Sequence, residues 1–296
     1  MIGPKVVVAI AAFNAQQFIA GCLSSLENQD YKNLEIYVVD NNLTDDTLNI
    51  IQKFNGVRLI KNKKNNGVCS VRNKIIESTE SKYILTLDSD VVLEDSFIST
   101  IVREAEDSRH NIGMWGGTII DMKNKESIDS LGIRLSRFWK FYDVGSGINI
   151  SNLDKVSIAN TLGPCACAGL YLRNMLESIR EEPRFEAFDS SMHYLVEDFD
   201  VAIRAKNNGW GFKYIKGAKG YHYRHGSRVA SKVIRYLSFR NRYYLIVKNL
   251  NLEALPYLIL SIFFYDLPRI VYLTMIDFKI IKRSIFDLNN MLWKKN

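Results

Sequence analysis

The sequence predicts an α/β fold in which a mostly parallel sheet is flanked by helices. Short, almost wholly apolar runs alternate with segments whose apolar residues recur at helical spacing. The apolar runs have no polar face, which is typical of parallel strands that are buried on both sides. The chain has 296 residues, of which 47% are hydrophobic, and this is enough for a large core.

The predicted elements alternate through residues 1–120. We expect strands at residues 5–11, 35–40, 57–60, 83–87 and 112–120, and helices at residues 15–29, 44–54, 67–78 and 96–107. Asn14 is expected to cap the first of these helices. Further along, we expect helices at residues 173–179 and 197–208 and a strand at residues 210–215.

Two carboxylates follow the strand at residues 83–87. Asp88 and Asp90 are two positions apart, so they point to the same side of an extended chain. Ligands of parallel sheets bind beyond the carboxyl ends of the strands. Two carboxylates this close repel each other unless a cation lies between them, and Mg²⁺ or Mn²⁺ suits oxygen ligands. The pattern predicts a metal site that holds a diphosphate, and the alternative is an acidic turn in solvent.

Other polar residues follow strands at the same predicted edge. Asn14, Asp40 and Asn42 lie there, so that three carboxylates converge. The chain has neither a G-x-G-x-x-G nor a G-x-x-x-x-G-K-[ST] phosphate loop. A bound phosphate would therefore be held by a metal and by scattered basic groups. Arg72 is a candidate for this role, although it is equally compatible with a solvated arginine on a helix.

The second half of the chain contributes further candidates. An aromatic loop that contains Trp139 can stack on a sugar or form a small core of its own. The small residues around Gly169 allow close backbone approach. Asp198 stands at a helix start, where it is either a cap or a general base. His222 and His225 are possible metal ligands or ordinary packed histidines.

The amino-acid composition of the chain changes at residue 231. Residues 254–265 and 270–276 are apolar, but neither run reaches the roughly 20 residues that a spanning helix needs. We expect a pair of interfacial helices whose basic tail contacts an anionic membrane surface, and the alternatives are a buried helix or an oligomer interface. The predicted domains are residues 1–230, with halves at 1–120 and 121–230, and residues 231–296.

Charge and cysteine content narrow the class of protein. The formal net charge is +7, which attracts phosphates without choosing among nucleotides, nucleic acid and lipid. The four cysteines form no C-x-x-C pair, which indicates reduced thiols in a cytosolic protein and neither a disulfide framework nor a zinc site. The N-terminus is not expected to act as a signal peptide.

Taken in order, these motifs resemble the family 2 glycosyltransferases. The resemblance rests on residues 6–14, 23–29, 35–41, 45–47, 66–67, 71–73, 88–90, 197–204, 222 and 226–227. It extends from about residue 5 to residue 250. Residues 128–132 and 143–147 are most similar to a rhamnosyltransferase-like branch.

The resemblance implies a GT-A fold and an inverting, metal-dependent transfer from a nucleotide-diphosphate sugar. By motif matching, Asp40 would contact the nucleobase, Asp88 the ribose or the metal, and Asp90 the metal. Asp198 would deprotonate the acceptor, and His222, or else His225, would complete the metal site. The implied residues for the nucleotide sugar are Ala11, Phe13, Asn14, Asp40, Asn42, Asn66, Gly67, Arg72, Asp88 and Ser89. Those for the acceptor are Trp139, Gly169, Glu197 and His225.

Some residues depart from the family pattern. Ala11 and Ala12 stand where a proline or threonine is common, Phe13 replaces tyrosine, and Asn42 and Leu43 replace a small residue and serine. These differences concern the base and sugar of the donor. The position of Asp198 at a helix N-terminus would lower the pKa of its side chain and weaken it as a base, unless burial offsets this effect.

The resemblance implies an enzyme that extends a cell-surface or lipid-linked glycan. We expect it on the cytoplasmic face of the membrane as a peripheral protein, with a glycan or polyprenyl-linked acceptor, no nucleic acid, and a homo-oligomer as a possibility. One rival is a sugar nucleotidyltransferase, but residues 11–17 lack the glycines and basic residues of its phosphate loop. Another rival is a non-catalytic glycan- or nucleotide-binding module.

Overall fold

A computed structural model of the protein describes residues 3–181, 184–224, 229–250 and 252–293. In these ranges the strands are Val6–Ala12 (β1), Leu34–Asp40 (β2), Val57–Lys61 (β3), Tyr83–Asp88 (β4), Val91–Leu93 (β5), Ile112–Asp121 (β6), Ile128–Ser130 (β7), Ile133–Leu135 (β8), Phe141–Asp143 (β9), Ala168–Leu172 (β10) and Gly211–His222 (β11). The α-helices are Ile19–Glu27 (α1), Thr47–Ile51 (α2), Gly67–Glu77 (α3), Phe97–Glu106 (α4), Arg173–Ser178 (α5), Glu197–Asn207 (α6), Ser231–Asn249 (α7), Leu255–Ser261 (α8) and Leu267–Trp293 (α9). Short 3₁₀ segments are Ile150–Lys155, Ser190–Met192 and Leu252–Ala254.

A nine-stranded sheet forms the centre of the described chain. Its strand order is β3-β2-β1-β4-β10-β6-β11-β5, and β7 pairs with β6 at the side. The first four strands are parallel, as the alternation of strands and helices predicts. β10 then runs antiparallel between β4 and β6. The predicted strands all form, and the predicted strand at residues 210–215 extends to His222.

Helices cover both faces of the sheet, as predicted. Alternate residues of a strand point to opposite faces, and β1 shows this clearly. Val6, Val8 and Ile10 pack with residues of α1 and α4 in one core cluster. Val7 and Ala9 pack with α3, α5, α6 and α7 in the other. The second cluster therefore includes a helix from the C-terminal region.

The first helix begins later than predicted. α1 starts at Ile19, and Asn14 does not cap it. Instead, the backbone of Asn14 is left-handed, with φ of 48°, and its side-chain oxygen accepts a hydrogen bond from the Thr44 amide at 2.9 Å. Asp45 similarly accepts a hydrogen bond from the Gln16 amide at 3.3 Å. These contacts join the loops after β1 and β2, so that the polar residues serve the loops and not the helix.

After α7 the C-terminal region is helical from Leu255 and is interrupted at Asp277. The two apolar runs that we expected as separate helices are joined by a π-helical turn at Ile262–Asp266. Pro268 lacks the amide hydrogen of a regular helix at this point, which favours the altered hydrogen bonding. The stretch Leu255–Met291 is long and apolar enough to cross a membrane by length and composition alone. Its backbone leaves the helical conformation at Asp277.

A buried ion cluster joins α6 to α7. Asp200 is fully buried and binds Arg204 through Oδ2 at 2.6 Å and Lys248 through Oδ1 at 2.8 Å. Burial opposes ionisation of Asp200, but the two cations outweigh burial and lower its pKa. Arg204 also donates to the carbonyls of Ile179 and Ala187. The cluster thus holds the helix of the predicted base against the C-terminal helices.

We predict that Asp200→Asn will lower the free energy of unfolding by about 3–5 kcal/mol. The change leaves the buried Arg204 without a counter-charge and removes one of the carboxylates that face the buried Lys248. Urea unfolding followed by circular dichroism measures this change. Asp154→Asn is the control, because it breaks an exposed pair with Lys216 and should cost less than about 1 kcal/mol. The difference between wild type and Asp200→Asn should shrink as the pH falls below the ordinary aspartate range towards the lowered pKa of Asp200. Equal losses in the two variants would contradict the assignment.

Candidate active site

The carboxyl ends of β1, β2 and β4 meet at one edge of the sheet. The strand register pairs Ala12 with Asp40 and Ala11 with Asp88, so the polar residues after these strands are neighbours. A cavity of about 560 Å³ lies beyond them. The first half of the chain lines it with Ala11, Phe13, Asn41, Asn65, Gly67, Val68, Asp88, Ser89 and Asp90. The second half lines it with His193, Tyr194, Leu195, His222, Arg224, Val229, Ala230, Val233, Ile234 and Leu237.

Asp88, Asp90 and His222 form a group of potential metal ligands. One ligand atom from each residue lies within 4.8 Å of the other two, and Nε2 of His222 is 3.4 Å from Oδ1 of Asp90. Burial and the negative charge of Asp90 raise the pKa of Asp88 to about 6, although Arg72 opposes this. A cation between the carboxylates would remove that repulsion. Two carboxylates and one imidazole suit Mn²⁺ or Mg²⁺, so the residues fit a divalent cation.

The imidazole of His222 is oriented by a carboxylate that the sequence analysis did not identify. Oδ2 of Asp129 is 2.9 Å from Nδ1 of His222, which leaves Nε2 directed towards Asp90. This is the arrangement that commonly orients a metal-binding histidine. Arg224 contacts both Asp129 and Asp143. Asp129 belongs to the run 128–132 that supported the resemblance, but its sequence position says nothing of its partner.

The imidazole also belongs to a second group of possible ligands. Asp129, Cys167 and His222 each offer an atom within 4.8 Å of the other two. The Cys167 thiol is buried. The backbone carbonyl of Cys167 accepts a hydrogen bond from the Asp88 amide. All four cysteines are free thiols, in agreement with the absence of a predicted disulfide.

Arg72 is not a solvated arginine on a helix surface, because its side chain is buried. Its side chain is 2% exposed. One terminal nitrogen lies 2.7 Å from Oε1 of Glu197, and the other lies 3.3 Å from Oδ1 of Asp88 and 3.1 Å from the carbonyl of Ala166. Arg72 thus connects the end of β4 with the start of α6. Glu197, which the resemblance assigns to the acceptor, is buried in this ion pair.

Asp198 lies beside this bridge in a half-buried position. Its Oδ2 accepts a hydrogen bond from the Ala166 amide at 3.4 Å. Burial, followed by the charges of Glu197 and Asp143, raises the pKa of Asp198 well above its usual value. Burial and like charges therefore outweigh the helix N-terminus that would lower the pKa. A carboxylate with a raised pKa is a stronger base once it is ionised.

Several other predicted residues shape loops at the edge. Oδ1 of Asp40 accepts hydrogen bonds from the amides of Asn42 and Leu43, so it holds its own turn. Asn66 directly precedes α3. Gly67 has a φ of +82°, and a side chain there would meet the carbonyl of His193 at 2.4 Å. A glycine is therefore required where the two halves of the site touch.

Two residues that the resemblance assigns to the acceptor lie within the core. Trp139 is 5% exposed and packs in the second core cluster. Gly169 pairs with Thr86 and Gly116 in the middle of the sheet. Within the described residues neither one borders the cavity. His225 falls outside the described residues.

Comparisons with known proteins place this arrangement in a family. The model of the family described as "Glycosyl transferase family 2" matches residues 7–180. An uncharacterized glycosyltransferase of Haemophilus influenzae is 30% identical over 141 residues, which are 46% of this chain and 44% of the relative. The UDP-Glc:alpha-D-GlcNAc-diphosphoundecaprenol beta-1,3-glucosyltransferase WfaP of Escherichia coli is 39% identical over 85 residues, or 28% of this chain and 34% of WfaP. The chain thus spans less than half the length of both relatives.

A solved structure confirms the predicted GT-A fold. The crystal structure of S. aureus TarS 1-349 superposes with a TM-score of 0.59 at 16% identity, over 96% of this chain and 80% of that one. The sheet, the cavity at its edge and the family match agree with one another. The chain belongs to the family 2 glycosyltransferases.

Proposed function

We propose that the protein is an inverting, metal-dependent glycosyltransferase that uses a nucleotide-diphosphate sugar. The observation that carries this proposal is the group of Asp88, Asp90 and His222 at the ends of parallel strands, beside a cavity of about 560 Å³. Asp198 supplies a second carboxylate, which Arg72 and Glu197 separate from Asp88. The family match favours sugar transfer over nucleotidyl transfer.

The residues of the site have distinct roles in this proposal. Asp88, Asp90 and His222 would hold the metal, which would supply positive charge to neutralise the charge that develops on the leaving diphosphate. Asp129 keeps the His222 ring in place. Asp198 accepts the proton of the acceptor hydroxyl while that oxygen attacks the sugar. A single displacement of this kind inverts the configuration of the sugar carbon, because the attacking oxygen and the leaving group lie on opposite faces.

The substrates are proposed from the names of the relatives and from the shape of the site. WfaP is named for UDP-glucose and a diphosphoundecaprenol-linked sugar, and we propose a lipid-linked saccharide or another glycan as the acceptor here. The rhamnosyltransferase-like branch is retained as a second proposal for the sugar donor, with dTDP-rhamnose as its test compound. Residues 1–120 would hold the nucleotide and residues 121–230 the acceptor. We propose no nucleic acid partner.

The C-terminal stretch supports a proposed position at the membrane. Apolar side chains are exposed along Leu255–Met291, and Phe264 and Met275 are 81% and 82% exposed. Lys279, Lys282 and Arg283 are exposed near one end of it. We propose that this apolar face, with its basic rim, docks on the anionic inner surface of the cell membrane. Such a position brings the cavity close to lipid-linked acceptors.

Our first prediction for this site concerns Asp90→Asn. In wild type, one nucleotide sugar from a panel of UDP, GDP and dTDP forms should raise the melting temperature by about 4 °C when it and Mn²⁺ are present at about 100 times the Kd. Asp90→Asn should lose this shift, because it removes one charged ligand of the metal. Asp95→Asn changes an exposed aspartate nearby and should keep it. An unchanged shift in Asp90→Asn would rule out Asp90 as a metal ligand.

The second prediction distinguishes the proposed role of Asp198 as a base from a role in binding the sugar donor. Asp198→Asn should keep the thermal shift with the nucleotide sugar but lose transfer by a factor of about 10²–10⁴. In wild type the rate should fall as the pH falls through the raised pKa of Asp198, because only the ionised form accepts a proton. Asp143→Asn removes a neighbouring negative charge, so this fall should move to lower pH. Near-normal transfer by Asp198→Asn would reject Asp198 as the base.

The third prediction concerns the membrane. Phe264→Ser combined with Met275→Ser should weaken binding to vesicles that contain phosphatidylglycerol by at least about tenfold, because each exposed apolar side chain contributes about 1–2 kcal/mol when it is buried in lipid. Vesicle flotation measures the bound fraction. Ile158→Ser removes an exposed apolar side chain from the sheet-containing part of the protein and is the control. Equal binding by all three proteins would contradict the docking face.

A further inference from the structure

The turn immediately before Asp198 has a rare backbone conformation. His193, Leu195 and Val196 have φ angles of 64°, 71° and 59°, in the left-handed region. Non-glycine residues seldom adopt it, and a β-branched valine does so least readily. We call residues 193–196 the catalytic turn, because α6 and Asp198 follow it directly. A conformation of this kind persists only where its surroundings hold it.

α7 contacts this turn through a fully buried amide. Asn241 is 0% exposed, and its Nδ2 lies 2.9, 2.7 and 3.0 Å from the carbonyl oxygens of Met192, Tyr194 and Leu195, so that its two N–H donors are shared among three acceptors. Oδ1 of Asn241 accepts hydrogen bonds from Nε and Nη2 of Arg240. The guanidinium can only donate, so it fixes which end of the amide faces the turn. Asn241 thereby ties the catalytic turn to α7.

Arg240 also binds the backbone just before the catalytic turn. Its Nη2 donates to the carbonyls of Ser191 and Met192, both at 2.9 Å. On its opposite side, the catalytic turn contacts residues that line the cavity. The carbonyl of His193 accepts a hydrogen bond from the Val68 amide at 2.8 Å, and His193, Tyr194 and Leu195 line the cavity. The turn is therefore enclosed between the cavity and α7.

We propose that Asn241, oriented by Arg240, is a positioning residue that holds the catalytic turn and so places Asp198 for proton transfer. This inference rests on the proposed function of Asp198. The helix before the apolar stretch is then part of the catalytic machinery as well as a connection to it. Arg242, the next residue, is buried and binds Asp266 in the π-helical turn at 2.8 Å. It also donates to the carbonyl of Trp139.

The test compares Asn241→Asp with Asn249→Asp. Aspartate matches asparagine in size, but its carboxylate has no N–H and cannot donate a hydrogen bond to any of these carbonyls. Asn249 lies in the same helix, and its side chain donates to Leu245 within that helix. Hydrogen exchange by mass spectrometry reports on peptides that cover residues 190–200. In Asn241→Asp these peptides should exchange faster by at least about tenfold, whereas those of β1 should not change.

Kinetics then show whether the turn matters for transfer. The substrate is the member of the thermal panel that stabilises wild type (UDP-glucose, UDP-N-acetylglucosamine, GDP-mannose or dTDP-rhamnose). We expect kcat to fall by about 10²-fold in Asn241→Asp while the KM for the nucleotide sugar changes less than about threefold. Asn249→Asp should match wild type in exchange and in kcat. If Asn241→Asp does not fold, Arg240→Lys keeps the charge but loses the fork that orients the amide, and it should show the same pattern more weakly.

The outcomes separate the inference from the function on which it rests. Faster exchange with an unchanged kcat would overturn the positioning role, and unchanged exchange would overturn the hold on the turn. Faster exchange together with a lower kcat and an unchanged KM would support both. If wild type turns over no nucleotide sugar, the proposed function fails by itself, and with it the role of Asn241 in placing a base. The exchange experiment still decides whether Asn241 holds the turn.

Discussion

The site depends on how the negative charges of several neighbouring carboxylates are compensated within a small volume. Asp88, Asp90, Asp129, Asp143, Glu197 and Asp198 gather at the edge of the sheet, and most are wholly or partly buried. Buried charges are stable only when cations face them. Arg72 faces Asp88 and Glu197, and Arg224 faces Asp129 and Asp143. The remaining negative charge is concentrated at Asp90, where His222 approaches, and at Asp198.

This distribution of charge separates two kinds of chemistry. Near Asp88 and Asp90 the excess of negative charge favours a divalent cation, which would also lower the raised pKa of Asp88. At Asp198, burial and then the negative charges of Glu197 and Asp143 raise the pKa of a carboxylate whose proposed task is to accept a proton. Arg72 stands between the two regions, because it pairs with Asp88 on one side and with Glu197 on the other. One buried arginine thus lies between the candidate cation site and the helix that carries the proposed base.

The C-terminal helices participate in this arrangement. Three consecutive residues of α7, Arg240, Asn241 and Arg242, are buried, and together they contact three parts of the protein. They contact the catalytic turn, the loop of Trp139 and the π-helical turn of the apolar stretch. The side chains of Val233, Ile234 and Leu237 close the cavity from the same helix. The proposed membrane contact and the proposed active site are therefore connected by a single helix.

Local sequence was sufficient for β1 to β4, β6 and the first part of β11, for most of the helices and for the placement of Asp88 and Asp90 at a strand end, because apolar periodicity and i, i+2 spacing act over a few residues. It did not predict β5, β7, β8, β9 or the central antiparallel strand β10. It also identified His222 as a possible partner. Only the tertiary structure decided that Arg72 bridges Asp88 and Glu197, that Trp139 is buried, and that Asn14 serves a loop. It alone assigned Asp129 to His222 and Asn241 to the catalytic turn. These contacts join residues from 16 to 125 positions apart, and the physical reason is that packing of distant elements, not local conformation, determines which side chains meet.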